Sequence, residues 1–371
     1  MSQADLAFPL IDATGSPFER GRDYGRGAAE RIAVSVAIYE EPLARQGLPW
    51  STVRAIAGRY LPRLEAFSGD LTEEIRGIAA GCERPVEDIV ALNARTELLY
   101  DKSLREGLDT LPPDGCTGAI ALPGTTADGH MLHGQNWDWL DACKDSAVVV
   151  RMTYPDGMRL LTFVEAGILA RAGMNSHGIA VTGNFLNTPS RPAEGAVPIP
   201  LVRRRVLESA TLFGAVGEVL NSPRSFCNNM MISDAAGEAV DLETTPEEAF
   251  WELPEQGMLV HSNHFRTQAA RARVKDTGLM ASPDSIYRDR RVEAHLRQRA
   301  GQVTQGDLQA AFADTYGAPR GVCRSPTPET NERAPTSTVA SLIMDTTAGH
   351  MWLARAPYDQ PARYSRYDLH G

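Results

Sequence analysis

The 371-residue sequence is poor in positive charge: 37 basic residues stand against 47 acidic ones, a net charge of −10. No basic run interrupts that balance. Affinity for nucleic acid comes largely from neutralising phosphates, so a nucleic-acid partner is not expected. Long apolar runs are missing too. No stretch approaches the roughly 18 consecutive apolar residues of a membrane-spanning helix, so no membrane association is expected. The opening Met1-Ser-Gln-Ala-Asp-Leu-Ala-Phe-Pro-Leu10 has neither a basic start nor a long apolar segment, unlike a secretory signal. Cysteine is scarce. Cys82, Cys116, Cys143, Cys227 and Cys323 are odd in number and irregularly spaced, which argues against a disulfide framework and for a reducing, cytoplasmic location. The sequence has no Cys-x-x-Cys pair and no His-Glu-x-x-His, so no metal is expected. His261-x-x-His264 supplies only two candidate ligands. There is no Gly-x-Ser-x-Gly elbow of a serine hydrolase and no phosphate-binding loop, and nothing marks a cofactor site.

What is present describes a soluble globule: 43% apolar and 23% charged residues. Residues 1–112 read as mostly helical. Ser16 fits an N-cap, with Pro17 at the first helical position and Glu19 three residues after the cap. Gly21 and Gly25 share one helix face, which suggests close backbone packing. Further helices are expected over 71–81 and 86–100, where apolar residues recur at helical spacing. After the break Leu111-Pro-Pro-Asp-Gly115 the pattern becomes a train of short strands, among them 116–122, 130–137, 147–154, 158–165, 179–185 and 258–262. Helices return over 200–208, 287–300 and 306–312, and a hairpin over 339–354 closes the chain. Helices, an antiparallel meander, helices and a hairpin do not make alternating βαβ units. The expected fold is α+β: two antiparallel sheets packed together with helices outside, an αββα sandwich.

The chemistry concentrates at Asp114-Gly115-Cys116-Thr117-Gly118. A cysteine directly after a glycine, where a turn becomes a strand, is by default a small buried hydrophobe. Cutting the Gly115–Cys116 bond changes that reading. Cys116 would then hold a thiol and an α-amine a few bonds apart, with reference pKa values of about 8.5 and about 7.7–8.0. The amine can take the thiol proton, so nucleophile and base reside in one residue. Glycine on the acyl side tolerates the bent backbone that the thiol needs to reach its own carbonyl. Twenty residues on, Gly134-Gln-Asn136-Trp137-Asp138-Trp139 ends the strand that returns beside Cys116, so Asn136, Trp137 and Asp138 are candidates for holding an amine or a substrate. His261-Ser-Asn263-His264-Phe265 ends another strand. The Asn263 amide is a suitable oxyanion donor, and His264 is a candidate substrate contact.

Asp114-Gly-Cys-Thr-Gly118 followed by Gly134-Gln-Asn-Trp-Asp138 resembles the acyl-coenzyme A:6-aminopenicillanic acid acyltransferase family, among the N-terminal nucleophile hydrolases. Gly15-Ser-Pro-Phe-Glu-Arg-Gly-x-x-x-Gly25, Gly77-Ile-Ala-Ala-Gly81, Leu92-Asn-Ala-Arg-Thr-Glu97 and Asn263-His-Phe265 extend the likeness over nearly the whole chain. The resemblance implies one domain over 1–371, made as a precursor that cleaves itself before Cys116. The fragments 1–115 and 116–371 would stay associated, and a homo-oligomer is compatible with this. Cys116 would be nucleophile and base, Asn263 the oxyanion asparagine, and Asp138 the aspartate that positions the amine. In one place the sequence departs from the family pattern: Thr336-Ser-Thr338 stands where an arginine is expected near the last core strands. The expected activity is hydrolysis of a small N-acyl compound through a Cys116 thioester. Acyl transfer to an amine, for example from a coenzyme A thioester, is the alternative. An unprocessed small-molecule binder is the non-catalytic one.

Overall fold

A computed structural model describes residues 6–45, 47–100, 115–190, 192–328 and 334–371. The break expected over 111–114 lies outside them. Two sheets form. The larger runs in the spatial order β1 (Leu10–Thr14), β4 (Ala147–Thr153), β5 (Arg159–Glu165), β6 (Ala172–Asn175), β7 (Ile179–Phe185), β8 (Asn228–Asp234), β9 (Glu238–Thr244) and β10 (Ala249–Glu252). The smaller runs β11 (Met258–His261), β2 (Gly115–Ala121), β3 (Leu132–Leu140), β12 (Thr336–Asp345), β13 (His350–Arg355) and β14 (Tyr364–Asp368). Strand pairs are antiparallel except β1 with β4. The sheets face each other through β2, β3 and β7. Helices including Pro17–Gly27 and Ile199–Leu207 cover the larger sheet, and Ser285–Arg297 and Gln305–Phe312 cover the smaller. This is the αββα sandwich expected from the element pattern. No helix among the described residues is long and apolar enough to cross a membrane.

Local sequence explains these elements. The first helix starts on a capping box, with the Ser16 hydroxyl accepting from the Glu19 N–H and the Glu19 carboxylate accepting from the Ser16 N–H. It crosses Gly69–Gly81 at backbone contact. A Cβ on Gly21 would lie 2.1 Å from the Glu74 carbonyl oxygen, and one on Gly77 would lie 2.2 Å from that of Phe18. Only glycine permits this approach. In β4 and β5, Val148–Val150, Leu160, Leu161, Phe163 and Val164 are fully buried, the continuous apolar pattern of strands covered on both faces.

Three details differ from the sequence expectation. Residues 10–14 form a strand, not helix. Its alternation of buried Ile11 and Ala13 with exposed Asp12 and Thr14 is a period-two signal only five residues long. The helix expected over 86–100 is two, Val86–Asn93 and Arg95–Tyr100. Asn93 makes the break: its Nδ2 donates to the Ile89 and Gly167 carbonyls, and its Oδ1 accepts from the Leu169 N–H. The chain also ends in an unexpected sixth strand of the smaller sheet, β14, with Ser365 and Tyr367 turned inward.

Candidate active site

Side chains alternate across a strand, so neighbouring residues of β2 and β3 serve opposite faces of the smaller sheet. Gly115 pairs with Asp138 and Cys116 with Trp137. Gly115, Thr117, Asn136 and Asp138 therefore face the helices. Cys116, Gln135 and Trp137 face the larger sheet. The Gly115–Cys116 peptide lies between two chemically different surroundings.

On the side facing the larger sheet, Cys116 opens into a cavity of about 510 Å³, counted to its open mouth. Trp137, Arg95, Arg171, Arg203 and Asn228 line it with the thiol. The Arg171 guanidinium lies over the Trp137 ring, 4.2 Å from its centroid, and its Nη2 is 3.4 Å from the Cys116 Sγ. Its Nη1 donates to Gln135 Oε1 at 3.0 Å.

On the helix side, charge gathers around the peptide itself. The Cys116 N–H donates to Asn263 Oδ1 at 2.7 Å. Arg288 Nη2 donates to the same oxygen at 2.9 Å, and Arg288 Nη1 donates to the Cys116 carbonyl and to Thr117 Oγ1. Asn263 Nδ2 donates to the Phe185 carbonyl at 2.9 Å. Two donors on one end and an acceptor on the other fix the orientation of this amide. Asp284 Oδ2 bridges Arg288 and Arg324, each at 2.8 Å. Arg324 Nε reaches Asp138 Oδ2 at 3.1 Å, and the Thr338 hydroxyl donates to Asp138 Oδ1 at 2.6 Å. Burial pushes the Asp138 carboxyl up, and Arg324 and Arg288 oppose that rise. A Cβ on Gly115 would stand 2.5 Å from Arg324 Cζ, so glycine also makes room for this guanidinium.

Over residues 125–357 the sequence matches the family of acyl-coenzyme A:6-aminopenicillanic acid acyl-transferases. The 40 kDa form of the acyl-coenzyme A:6-aminopenicillanic-acid-acyltransferase of Emericella nidulans is 32% identical over 321 residues, covering 85% of this chain and 84% of that protein. The chain belongs to the acyl-coenzyme A:6-aminopenicillanic acid acyl-transferase family. Among solved structures, the conjugated bile acid hydrolase of Clostridium perfringens is 16% identical with a TM-score of 0.49, over 68% of this chain and 92% of its own. Penicillin V acylase from Agrobacterium tumefaciens is 15% identical with a TM-score of 0.46, over 69% and 86%.

Within this member of the acyl-transferase family, the residues singled out from sequence divide into two groups. Cys116, Gly115, Asp138, Asn263 and Trp137 gather around one peptide. Asn136 and His264 do not reach the cavity. The Asn136 Nδ2 donates to the Phe312 and Val322 carbonyls, because its position in β3 points it to the helix side. His264 Nδ1 meets the Ser285 hydroxyl at 2.8 Å. Burial and the nearby charges of His261, Arg266 and Arg288 bring its pKa down to about 3. Both side chains bond to the helix layer and are absent from the cavity lining. Five charged residues at the site escaped the sequence reading: Arg171, Arg203, Asp284, Arg288 and Arg324. Arg324 meets Asp138 from the loop beside β12, and Thr338 holds it there. The Thr338 Oγ1 accepts from the Arg324 N–H at 2.7 Å. The threonines that replace the expected arginine thus anchor one from the neighbouring loop.

From Arg171 a chain of buried amides crosses the sandwich. Gln135 Nε2 donates to Asn184 Oδ1 at 2.9 Å, Asn184 Nδ2 to Asn229 Oδ1 at 2.8 Å, and Asn229 Nδ2 to Asp241 Oδ1. The chain ends at a buried triad. His261 Nε2 lies 2.9 Å from Glu243 Oε1 and 3.7 Å from Asp241 Oδ2. Burial disfavours the charged imidazole, but the two carboxylates outweigh it and bring His261 to about 9. Asp241 is pushed up to about 6, chiefly by burial. Among the described residues, this triad and the more exposed Asp128–His130–Asp345 are the groups whose ligand atoms lie close enough to hold a metal ion.

Proposed function

We propose that the protein is a self-cleaving N-terminal cysteine amidohydrolase acting on a small N-acyl compound. One observation carries the reading: Cys116 presents its thiol to the cavity while its backbone nitrogen is held by Asn263 Oδ1 at 2.7 Å. In maturation Sγ attacks the Gly115 carbonyl carbon. The S–C bond forms, the C–N bond breaks, and the thiol proton ends on the Cys116 nitrogen. Water then hydrolyses the thioester, leaving a Gly115 carboxylate and a free thiol. Asn263 Oδ1 keeps the new amine beside the thiol, where it serves as base. In turnover Sγ attacks the substrate acyl carbon, the proton passes to the leaving amine, and water resolves the acyl-enzyme. The Asn263 amide carries a second N–H beyond the one given to Phe185, and this is its donor to the oxyanion. Asp138, ion-paired to Arg324 against Gly115, positions the peptide that is cut.

Intact-mass measurement tests the reading. The wild-type chain is expected as fragments 1–115 and 116–371, which co-elute as one particle. Cys116→Ala is expected whole and inactive on an N-acyl panel. A Cys116→Ala chain still cut after residue 115 sinks the mechanism, and an intact wild-type chain without turnover favours a binder. Acyl transfer is the second reading, favoured by the 32% identity to an acyltransferase. Adding a nucleophilic amine during turnover separates the two. Diversion of most of the acyl group to the amine would replace hydrolysis by transfer.

A further inference from the structure

We propose that Asn184, Asn229 and Asp241 are positioning residues for the Cys116 thiol: a buried chain of amides, anchored on the Asp241 carboxylate, turns the Gln135 oxygen towards Arg171 and so keeps that guanidinium against Sγ. The proposal rests on Cys116 being the nucleophile. Gln135, Asn184, Asn229 and Asp241 are all fully buried, on β3, β7, β8 and β9. Strand register brings the last three together. Asn184 lies directly opposite Asn229, and Asp241 is two places along β9 from Glu243, the residue opposite Asn229. Apolar side chains would fill this space without a polar group to satisfy, so four polar ones call for a reason other than packing.

Direction is that reason. A carboxylate only accepts hydrogen bonds and a guanidinium only donates them, whereas an amide does either, depending on which way it is turned. Asp241 accepts from the Asn229 Nδ2, which leaves the Asn229 oxygen for Asn184. Asn184 Nδ2 also donates to the His261 carbonyl at 3.2 Å, which leaves its oxygen for Gln135. Gln135 Nε2 also donates to the Gly183 carbonyl at 2.8 Å, which leaves its oxygen for Arg171. Turning any one amide over would set donor against donor on one side and oxygen against oxygen on the other. Arg171 Nη2 in turn donates to Cys116 Sγ at 3.4 Å. The two main-chain carbonyls brace the near end of the chain, and Asp241 fixes its far end. A sulfur held at the cavity wall meets an acyl carbon in a defined orientation, and small misplacements of a reacting group cost rate.

One substitution makes direction irrelevant and so tests the chain. A glutamate in place of Gln135 presents an oxygen to Arg171 whichever way it turns, so it needs no chain behind it. The readout is the rate at which iodoacetamide labels Cys116, followed by peptide mass spectrometry on chains that fold as wild type does. Asn229→Leu is expected to slow labelling about three- to tenfold, within the range of coupling along one hydrogen-bond network. In a Gln135→Glu background the same substitution should change the rate by less than about twofold. A loss that persists in that background is a packing effect and overturns the proposal, as does an Asn229→Leu rate equal to wild type. A second cycle carries the test if Asn229→Leu does not fold. Gln135→Met and Arg171→Met should each slow labelling, and the double variant should be no slower than Arg171→Met alone. Losses that multiply in the double variant, or a Gln135→Met rate equal to wild type, overturn the proposal, because Gln135 would then not act through Arg171. Turnover of an N-acyl panel separates this from the amidase reading. Non-additive labelling in a chain that turns over no amide keeps the positioning role and removes the amidase. Multiplying losses in an active enzyme do the reverse.

Discussion

The two faces of the smaller sheet at the Gly115–Cys116 peptide differ in how they use charge. Towards the helices, Arg288 and Arg324 alternate with Asp284 and Asp138, each guanidinium answered by a carboxylate, and the ensemble grips main-chain atoms. Towards the larger sheet, Arg171 donates to Gln135 and Arg203 to Asn228, and both line an open cavity. The first environment is closed and balanced, and it grips the main chain at Cys116. The second is open and carries the Cys116 thiol. One strand serves both because successive residues point in opposite directions.

The comparison breaks most completely in Cys116→Ala. Processing and turnover should both vanish, a loss on the order of 10³-fold or more as for other catalytic nucleophiles, while the thermal melt stays within a few degrees of wild type. Preserved turnover would mean that the cavity face does not carry the chemistry.

Arg324→Met separates the faces. It leaves the Asp138 carboxylate buried without its cation, at a cost of about 3–5 kcal/mol. Cleavage after Gly115 should slow by about 100-fold, the scale of one lost electrostatic contact in a reaction centre. The rate at which iodoacetamide labels the Cys116 thiol should hold, and a rate that collapses together with cleavage would show that the two faces act as one.

Asn136→Ala tests the helix side away from the reaction. Leaving the Phe312 and Val322 carbonyls without their donor should cost about 1–3 kcal/mol in denaturant unfolding. The KM for any accepted substrate should stay at the wild-type value, and a selective rise would return Asn136 to the substrate site.

The smallest effect is a pH dependence from the triad behind the cavity. His261 has a folded pKa of about 9, above the ordinary imidazole value of 6.5, and the groups packed around it are Asp241, Glu243, Arg266, Asp289 and His264. A raised folded pKa means the protonated form is the one that folding stabilises. That stability is fully present below about pH 6.5 and is lost as pH rises through about 9. The melting temperature should therefore decline between pH 7 and pH 9.5, and the decline should flatten in His261→Gln. An equal decline in both proteins would assign it to other groups.

The legibility of the site follows the range of its interactions. Gly115-Cys116 and the hairpin to Asp138 are contiguous, and their turn and strand signals are local, so sequence brought them together. Asn263 was legible as the residue after a strand end. Asn136 shows the limit. Its neighbours Gln135 and Trp137 face the larger sheet, yet the period-two register of the same hairpin turns Asn136 to the other face, where its partners are the distant Phe312 and Val322 carbonyls. Arg171, Arg203, Arg288 and Arg324 belong to no motif, and Arg203 and Arg288 lie among other arginines, so nothing local raises them.

Sequence alone determined the sandwich and singled out Cys116, because apolar periodicity, turn glycines and a cysteine after glycine at a turn-to-strand junction are properties of short segments. Tertiary structure decided the electrostatics. The four arginines come from positions up to 208 residues downstream of Cys116 (324 minus 116), and only the tertiary packing of the segments that carry them brings their charges to the two sides of β2. A charge acts over a few ångströms of low-dielectric interior whatever the chain distance between the groups, so its effect had to wait for the fold.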